Sequence, residues 1–268
     1  LLMGPRQRAS FYAAHGYLVL SDLLGKSAIA TSHQEVSRLH QVALQLLEEN
    51  QLNGSDYQLE PYAKSDRAYD EPVLRKIENT RRHSPWFSAL ASHQPLVSVI
   101  QSLLGEDLLL FRSTLMLKPA HHGSAHAFHQ DSAYWPMDPP SLVTISIALE
   151  DATPENGCIR VIPGSHQGDL QAWGDIAQGQ HAPLTKRNDV DLSGQIDVPL
   201  KAGSAVLFHS KLVHGSGANT TDTSRNTALY AYFSPDVQYK PGANAPQRRT
   251  FPVIAGMQGA TEHEMVAG

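Results

Sequence analysis

The chain from Leu108 onward consists of short runs rich in Val, Ile, Leu, Phe and Tyr, separated by Pro, Gly, Asn and Asp. Runs of this kind are typical of β-strands. Because most lack helix-length spacers between them, they favour an antiparallel sandwich or barrel over a parallel α/β sheet. The predicted strands lie in LLLFRSTLMLK, AFHQDS, LVTISIALE, CIRVIPGS, IDVPL, SAVLFHS and TALYAYFSP. The stretch from His166 to Gly194 lacks this pattern, and we predict a long loop over one end, of the kind that serves as a lid or binding loop.

The first hundred residues are predicted to be mostly helical. In FYAAHGYLVL a helix gives way to a strand at Gly16, and Ser32 is predicted to cap a long helix whose apolar residues recur every three or four positions. Helical patterns return in EPVLRKIENTRR, SPWFSALAS and QPLVSVIQSLLG. We therefore predict a single domain with three parts: a largely helical support over 1–106, a β core over 107–240 and a C-terminal extension over 241–268.

Composition gives no support to several kinds of partner. The chain has 268 residues, 41% hydrophobic and 18% charged, with a formal net charge of −5, which gives no electrostatic reason to expect nucleic acid or an anionic membrane as partner. The single cysteine, Cys158, lies in an apolar setting and is predicted to be a packed, inert thiol. Without an evident secretory signal or a membrane-length apolar run, the expected location is the cytoplasm.

The stretch AFHQDSAYW contains the first candidate metal ligands. Residues two apart on a strand point to the same face, so His129 and Asp131 can reach one point while Gln130 faces away. A His-x-Asp triplet is common by chance, so it indicates a metal site only if a third ligand is found elsewhere in the chain.

His214 is the best candidate for that third ligand. It follows an apolar strand and precedes Gly215, Ser216 and Gly217, which allow the backbone to approach a bound group closely. His209 competes for the role, although its spacing of five from His214 would turn it to the opposite face of a regular strand. Three more histidines lie close in the sequence but have loop character, and we expect them outside the ligand set: His121, His122 and His126.

Two histidines and one carboxylate form a facial set of ligands that leaves three positions of an octahedral metal open. Such ligands suit Fe(II), whose open positions admit a chelating cosubstrate and oxygen. Zinc binds the same groups, so the ligand types leave a hydrolase possible.

Arg225 favours the iron interpretation. It lies eleven residues after His214 and begins the strand TALYAYFSP, where a guanidinium could pair in bidentate fashion with a carboxylate. If the partner is 2-oxoglutarate, its keto-acid end would chelate the metal while its far carboxylate meets Arg225. The alternative is a surface arginine at a loop-to-strand junction.

Two long segments, HQDSAYWPMDPPSLVTISIALEDATPENGCIRVIPGSHQGDL and GSAVLFHSKLVHGSGANTTDTSR, resemble the phytanoyl-CoA dioxygenase family of iron(II)- and 2-oxoglutarate-dependent oxygenases. The likeness runs from about Leu108 to Asp236. It implies a mainly β protein with flanking helices around a double-stranded β-helix, the jelly roll also found in cupins. It further implies that iron is held by His129, Asp131 and His214.

The resemblance also implies where 2-oxoglutarate binds. Arg225 and Ser216 match positions that bind this cosubstrate in the family, and Lys76 and Thr114 lie at about the right separation to match two further contacts. For Lys76, a solvated lysine on a helix is the alternative. Tyr134 and Trp135 are candidates for the substrate mouth, with core packing as the alternative.

The expected reaction is hydroxylation of an unactivated C–H bond by Fe(II), 2-oxoglutarate and O2, releasing succinate and CO2, with ascorbate as a stimulant. Related halogenases replace the metal carboxylate with a small residue, whereas Asp131 is present here, so hydroxylation is favoured over chlorination. A small polar metabolite, phosphonate or natural product ranks slightly above an acyl-CoA, because Arg81-Arg82 and Arg248-Arg249 are the only evident basic pairs for CoA phosphates. Two alternatives remain: a non-enzymatic cupin-like metal-binding barrel, and a zinc hydrolase with the same ligands.

Overall fold

A computed structural model describes residues 4–61, 63, 65–68, 70–170 and 192–268. The described helices are α1 Pro5–His15, α2 Lys26–Glu48, α3 Thr80–His83, α4 Pro85–Leu90 and α5 Gln94–Leu104. The strands up to the middle of the chain are β1 Tyr17–Leu20, β2 Tyr57–Leu59, β3 Arg67–Ala68, β4 Glu71–Pro72, β5 Leu74–Glu78, β6 Leu108–Lys118, β7 His126–His129, β8 Met137–Asp138 and β9 Val143–Ala148. Those that follow are β10 Ile159–Val161, β11 Ile196–Val198, β12 Ala205–His209, β13 His214–Ser216, β14 Arg225–Phe233, β15 Gln238–Tyr239, β16 Arg248–Ala255 and β17 Glu262–Val266.

Two antiparallel sheets form the core. The major sheet has the order β1-β12-β9-β14-β6-β16-β17, with β5 also pairing to β6 and β2 to β5. The minor sheet has the order β11-β10-β13-β7. Within the described residues the protein is thus mainly β with five helices, and the predicted fold class is confirmed. No helix in these ranges is long and apolar enough to cross a membrane.

The major sheet has two faces of different character. Its outer face carries large apolar side chains such as Leu115, Ile145 and Tyr230, which pack in one cluster with residues of α2, α4 and α5. Alternation along the strands turns the neighbouring positions, among them Arg112, Ser146 and Thr227, towards the minor sheet. The space between the sheets is therefore lined by polar and charged groups at its centre.

Several predicted elements are found at the expected places. The helix-to-strand change at Gly16 is confirmed, since α1 ends at His15, β1 begins at Tyr17, and Gly16 adopts φ +77°. Cys158 is buried among apolar residues, as predicted. Of the loop predicted between His166 and Gly194, residues 171–191 lie outside the described residues.

The predicted helix over EPVLRKIENTRR is wrong for most of its length. Residues Leu74–Glu78 form β5, which pairs with β6, and only Thr80–His83 are helical. The register between β2 and β5 shifts so that Arg75 is an extra residue, and this bulge brings Leu74 and Ile77 into one core although they are three apart. Two core residues three positions apart are typical of a helix, and here the bulge in a strand produces the same spacing.

Ser32 does not cap α2. The helix begins six residues earlier, after Gly25, so Ser32 lies inside it. There its hydroxyl donates a hydrogen bond to the carbonyl oxygen of Ala28. The same hydroxyl accepts a hydrogen bond of 2.9 Å from Trp86 Nε1 and so links α2 to α4.

Candidate metal centre and cosubstrate pocket

His129, Asp131 and His214 lie together between the two sheets. One ligand atom from each falls within 4.8 Å of the others. His129 and His214 face each other in register on β7 and β13, with ring centroids 4.3 Å apart. Asp131 Oδ1 lies 3.6 Å from His129 Nε2 and 3.9 Å from His214 Nε2. The geometry suits a metal ion held by two imidazoles and a carboxylate.

The route by which Asp131 reaches this point differs from the prediction. Strand β7 ends at His129, and Asp131 begins a short 3₁₀ helix, Asp131–Ala133. The two side chains therefore meet across the end of a strand and not along one face of it. Gln130 does point away, as predicted, and donates its amide to the carbonyl oxygen of Lys211.

Hydrogen bonds orient all three candidate ligands. Nδ1 of His129 lies 2.9 Å from the carbonyl oxygen of Ala127, and Nδ1 of His214 lies 2.9 Å from that of Leu212. A ring that donates from Nδ1 leaves the Nε2 lone pair free for a metal. Asp131 Oδ2 accepts a hydrogen bond from Thr144 Oγ1 at 2.9 Å, which leaves Oδ1 facing the histidines.

The protonation states suit metal binding. Burial and the neighbouring His129 lower the pKa of His214 to about 4, so its ring is neutral at pH 7. Burial would raise the pKa of Asp131, but interactions with His129 and His214 and the hydrogen bond from Thr144 outweigh it and lower the pKa to about 2. A neutral imidazole and an ionised carboxylate are the ligand forms that metals require.

The other histidines are placed as follows. His209 is not in the ligand group; its ring lies 5.3 Å from that of His166 and 6.4 Å from that of Tyr12. His121 is half exposed beside Asp222. His126 lies on β7 and lines the cavity, where burial and then the charges of Arg75 and Lys118 hold its pKa well below the usual range.

A cavity of about 280 Å³ opens beside the three candidate ligands. Arg225, at the start of β14, reaches into it and is only 3% exposed. Its Nη2 donates to the carbonyl oxygen of Gly157, whereas its buried Nε has no hydrogen-bond partner in the described residues. Burial lowers the pKa of Arg225 to about 10, so the guanidinium remains charged at pH 7. A buried cation with an unused donor is suited to an anionic ligand.

The remaining predicted binding residues are not equally placed. Ser216, Lys76, Tyr134 and Trp135 all line the cavity, and Thr114 is not among its lining residues. Thr114 Oγ1 donates to Glu78 Oε2 at 2.9 Å, and Lys76 Nζ pairs with Glu78 Oε1 at 2.8 Å. Glu78 thus engages both side chains that were predicted as further cosubstrate contacts.

The two aromatic residues differ in their surroundings. Tyr134 is 38% exposed, with its ring 6.3 Å from that of His129, and partial burial followed by the charge of Asp131 raises its pKa to about 12. Trp135 packs against Phe111, with ring centroids 4.8 Å apart, while it also lines the cavity. Tyr134 therefore lies at the mouth, and Trp135 joins the mouth to the apolar core.

Several residues of this region were missed by the sequence reasoning, among them Thr144, Lys118, Arg112 and Glu78. A signal was available in β9, where Thr144 and Ser146 alternate with apolar residues, and in β6, where Arg112 and Lys118 lie in a mostly apolar run. Such a position on a buried strand must face a partner or a cavity, because an unpaired polar group in a dry core is costly.

Gly215 lines the cavity, and its lack of a side chain also serves the packing of two strands. A Cβ on Gly215 would lie 2.8 Å from the carbonyl oxygen of His126 and 3.1 Å from the amide nitrogen of Phe128. The close approach is thus between β13 and β7, which brings His214 alongside His129.

A comparison with known protein families agrees with the fold and with the candidate metal ligands described above. The sequence model of the phytanoyl-CoA dioxygenase family matches residues 12–227. The chain belongs to this family. The resemblance noted from the sequence is confirmed, and with it the expectation of an oxygenase.

Individual relatives act on different compounds. Peroxisomal phytanoyl-CoA dioxygenase of Rattus norvegicus is 27% identical over 243 residues, which cover 87% of this chain and 69% of that protein. EctD from S. alaskensis, solved with 2-oxoglutarate and 5-hydroxyectoine, superposes with a TM-score of 0.68 at 26% identity, covering 89% of this chain and 78% of that one.

A third protein shares the fold. The epimerase SnoN, solved with Fe3+, alpha ketoglutarate and nogalamycin RO, has a TM-score of 0.70 at 23% identity, covering 93% of this chain and 98% of that one. A fold common to dioxygenases and an epimerase does not specify the reaction.

Proposed function

We propose that this protein is an Fe(II)- and 2-oxoglutarate-dependent dioxygenase that hydroxylates a C–H bond of a small molecule. The observation that carries the proposal is the placement of His129, Asp131 and His214 beside one cavity with the buried guanidinium of Arg225. A metal and a dianionic cosubstrate are the two ligands that this combination fits.

His129 and His214 would hold iron through Nε2, and Asp131 would hold it through Oδ1. Their other polar atoms are already bonded to Ala127, Leu212 and Thr144, so the three free atoms are preset for a metal. Bound iron and 2-oxoglutarate supply the oxidising chemistry with O2, and succinate and CO2 are released. The protein's part is to hold these groups in position and to limit access of water.

Arg225 would receive the far carboxylate of 2-oxoglutarate through its unpartnered Nε, with the Ser216 hydroxyl beside it in the cavity wall. Lys76 would approach the cosubstrate from β5. Thr114 would act through Glu78, because its hydroxyl is bonded to that carboxylate. Arg225 favours this function over a cupin-like barrel that only binds metal, in which a buried guanidinium with an unpartnered Nε has no ligand to receive.

Tyr134 and Trp135 would contact the substrate at the cavity mouth. A small polar metabolite suits the site better than an acyl-CoA, since neither Arg81-Arg82 nor Arg248-Arg249 is among the cavity-lining residues. Arg249 lies over the rings of Phe111 and Phe251 instead.

The test is succinate formation by the full chain, loaded with iron and supplied with 2-oxoglutarate in air, with and without ascorbate. We expect slow succinate release without substrate, stimulated by ascorbate and absent in Asp131→Ala. Failure of both 2-oxoglutarate binding and succinate formation would overturn the proposal. Hydrolytic activity that persists with zinc and without oxygen would favour a zinc hydrolase.

A further inference from the structure

We infer that the substrate carries an anionic group, a carboxylate or a phosphate-type group, and that Arg112 receives it at the mouth of the cavity. This inference rests on the proposed function, because it names the class of molecule that the same cavity accepts beside the cosubstrate.

The first observation is the charge of the cavity wall. Five basic side chains line it, namely Arg75, Lys76, Arg112, Lys118 and Arg225, whereas Asp131 is its only lining carboxylate among the described residues. Burial, followed by the charge of Arg225, holds the pKa of Lys118 well below its usual range, so the positive charge lies mainly on the other four. Behind them, Glu60 lies 3.6 Å from Arg75, and Glu78 pairs with Lys76 and Arg112. The two charges of Fe(II) and the two of 2-oxoglutarate cancel, so the occupied site keeps a positive excess. Such a wall attracts an anion.

The second observation is which cation remains available. Lys118 Nζ donates to the carbonyl oxygens of Ser124 and Gly217, and Arg75 Nη1 donates to Ser124 Oγ. Arg112 Nε donates to Thr114 Oγ1 at 2.9 Å and to Glu78 Oε2 at 3.1 Å, and its Nη2 donates to Glu78 Oε1 at 2.5 Å. Its Nη1 has no hydrogen bond to any described residue. Its side chain is 30% exposed. Glu78 therefore fixes the guanidinium plane while one edge stays open to a ligand.

The third observation separates Arg112 from the cosubstrate end. Arg225 pairs in register with Lys118, six positions along β6 from Arg112. At about 3.3 Å per residue this is roughly 20 Å of strand. The metal and Arg225 would engage both carboxylates of the five-carbon diacid. Arg112 is thus left for a different anion.

The fourth observation places Arg112 level with the metal ligands. Ala231 of β14 pairs with Arg112 on one side and with Thr144 on the other, and Thr144 is bonded to Asp131. Two strand spacings put the Cα atoms of Arg112 and Thr144 about 10 Å apart. Arg112, Trp135 and Asp131 line the same cavity. A molecule of metabolite size whose anionic group rests on Arg112 can therefore extend through this cavity to the metal.

The test is calorimetric titration of the iron-loaded, 2-oxoglutarate-saturated full chain, without oxygen, with butyrate and with methylphosphonate. Saturating 2-oxoglutarate keeps these probes away from Arg225. We expect one saturable site for at least one probe, and the preferred probe tells a carboxylate from a phosphate-type group. Arg112→Gln should weaken binding at least tenfold. Arg112→Lys should weaken it less, because lysine keeps the positive charge but lacks the paired donors of the planar guanidinium.

Arg248→Gln is the matched control, since Arg248 is also paired with a glutamate but lies on the surface with 69% of its side chain exposed. It should bind the probes as the wild type does. Circular dichroism and thermal melting establish that Arg112→Gln is folded. Absence of saturable binding for both probes, or equal binding by folded Arg112→Gln, would overturn the inference.

Failure of the proposed function gives a different result. In that case 2-oxoglutarate binding and succinate formation are absent from the wild type, and the probes are titrated without cosubstrate. Loss of binding in Arg112→Gln then still supports the anion site.

Discussion

Thr144 donates a hydrogen bond from Oγ1 to Asp131 Oδ2 over 2.9 Å, and this contact leaves Oδ1 as the oxygen that faces both histidines. Thr144→Val should therefore weaken metal affinity by about 10- to 100-fold, because outer partners of ligating carboxylates orient the metal-bound oxygen. Competitive metal titration against a chromogenic chelator measures this. Thr227→Val, in the same cavity but not bonded to a ligand, is the control and should retain wild-type affinity. Equal affinities in both variants would contradict the role of Thr144.

Arg225→Gln should raise the dissociation constant for 2-oxoglutarate by at least tenfold while metal affinity stays near that of the wild type. The reason is loss of a charge-assisted, buried contact to the far carboxylate. Titration of 2-oxoglutarate into metal-loaded protein gives the constant. Arg160→Gln removes an equal charge from a more exposed pair with Asp197 and serves as the control. If Arg225→Gln binds 2-oxoglutarate as tightly as Arg160→Gln, the assignment of Arg225 fails.

Tyr232→Phe should lower the free energy of unfolding by about 1–2 kcal/mol, because it leaves the carbonyl oxygen of Ala91 without its buried donor. The hydroxyl of Tyr232 donates to that oxygen over 2.8 Å and joins the outer face of the major sheet to the end of α4. Urea unfolding at pH 7 measures the loss. Tyr134→Phe removes a partly exposed hydroxyl and should change stability by less than about 0.5 kcal/mol. A loss as large in Tyr134→Phe would contradict this account.

The free energy of unfolding should fall as the pH is lowered from about 6.5 towards 4, in part because of His209. Burial, followed by the charge of His166, lowers the pKa of His209 to about 4, and its Nδ1 accepts a hydrogen bond from the amide of Lys211. The unfolded chain takes up a proton near pH 6.5 while the folded chain resists it, so this stability is present above that pH and is lost on acidification.

His209→Asn should flatten this pH dependence by about 1–2 kcal/mol between pH 6.5 and 4.5. Urea unfolding across this pH range provides the measurement, with His93→Asn, at the start of α5, as the control. A slope that is unchanged in His209→Asn would show that His209 is not protected from protonation in the folded state.

Much of the site was predictable because its signals are local. Strand β6 was predicted with the bounds that the structure gives it, since seven of its eleven residues are large and apolar and they lie on both faces of the strand. His129, Asp131, His214 and Arg225 stand in a recognisable order, and the fold brings them to one cavity as expected.

The sequence by itself determined the class of fold, the family and the candidate metal ligands, because strand patterning and motif order are properties of the chain. Only the tertiary structure decided that Leu74–Glu78 is a strand, that Asp131 lies beyond the end of β7, and that Glu78 joins Lys76 to Arg112. These features depend on pairing between segments that are distant in sequence. A bulge at Arg75, a register between β5 and β6, and a row of side chains across β9, β14 and β6 exist only once the strands have paired.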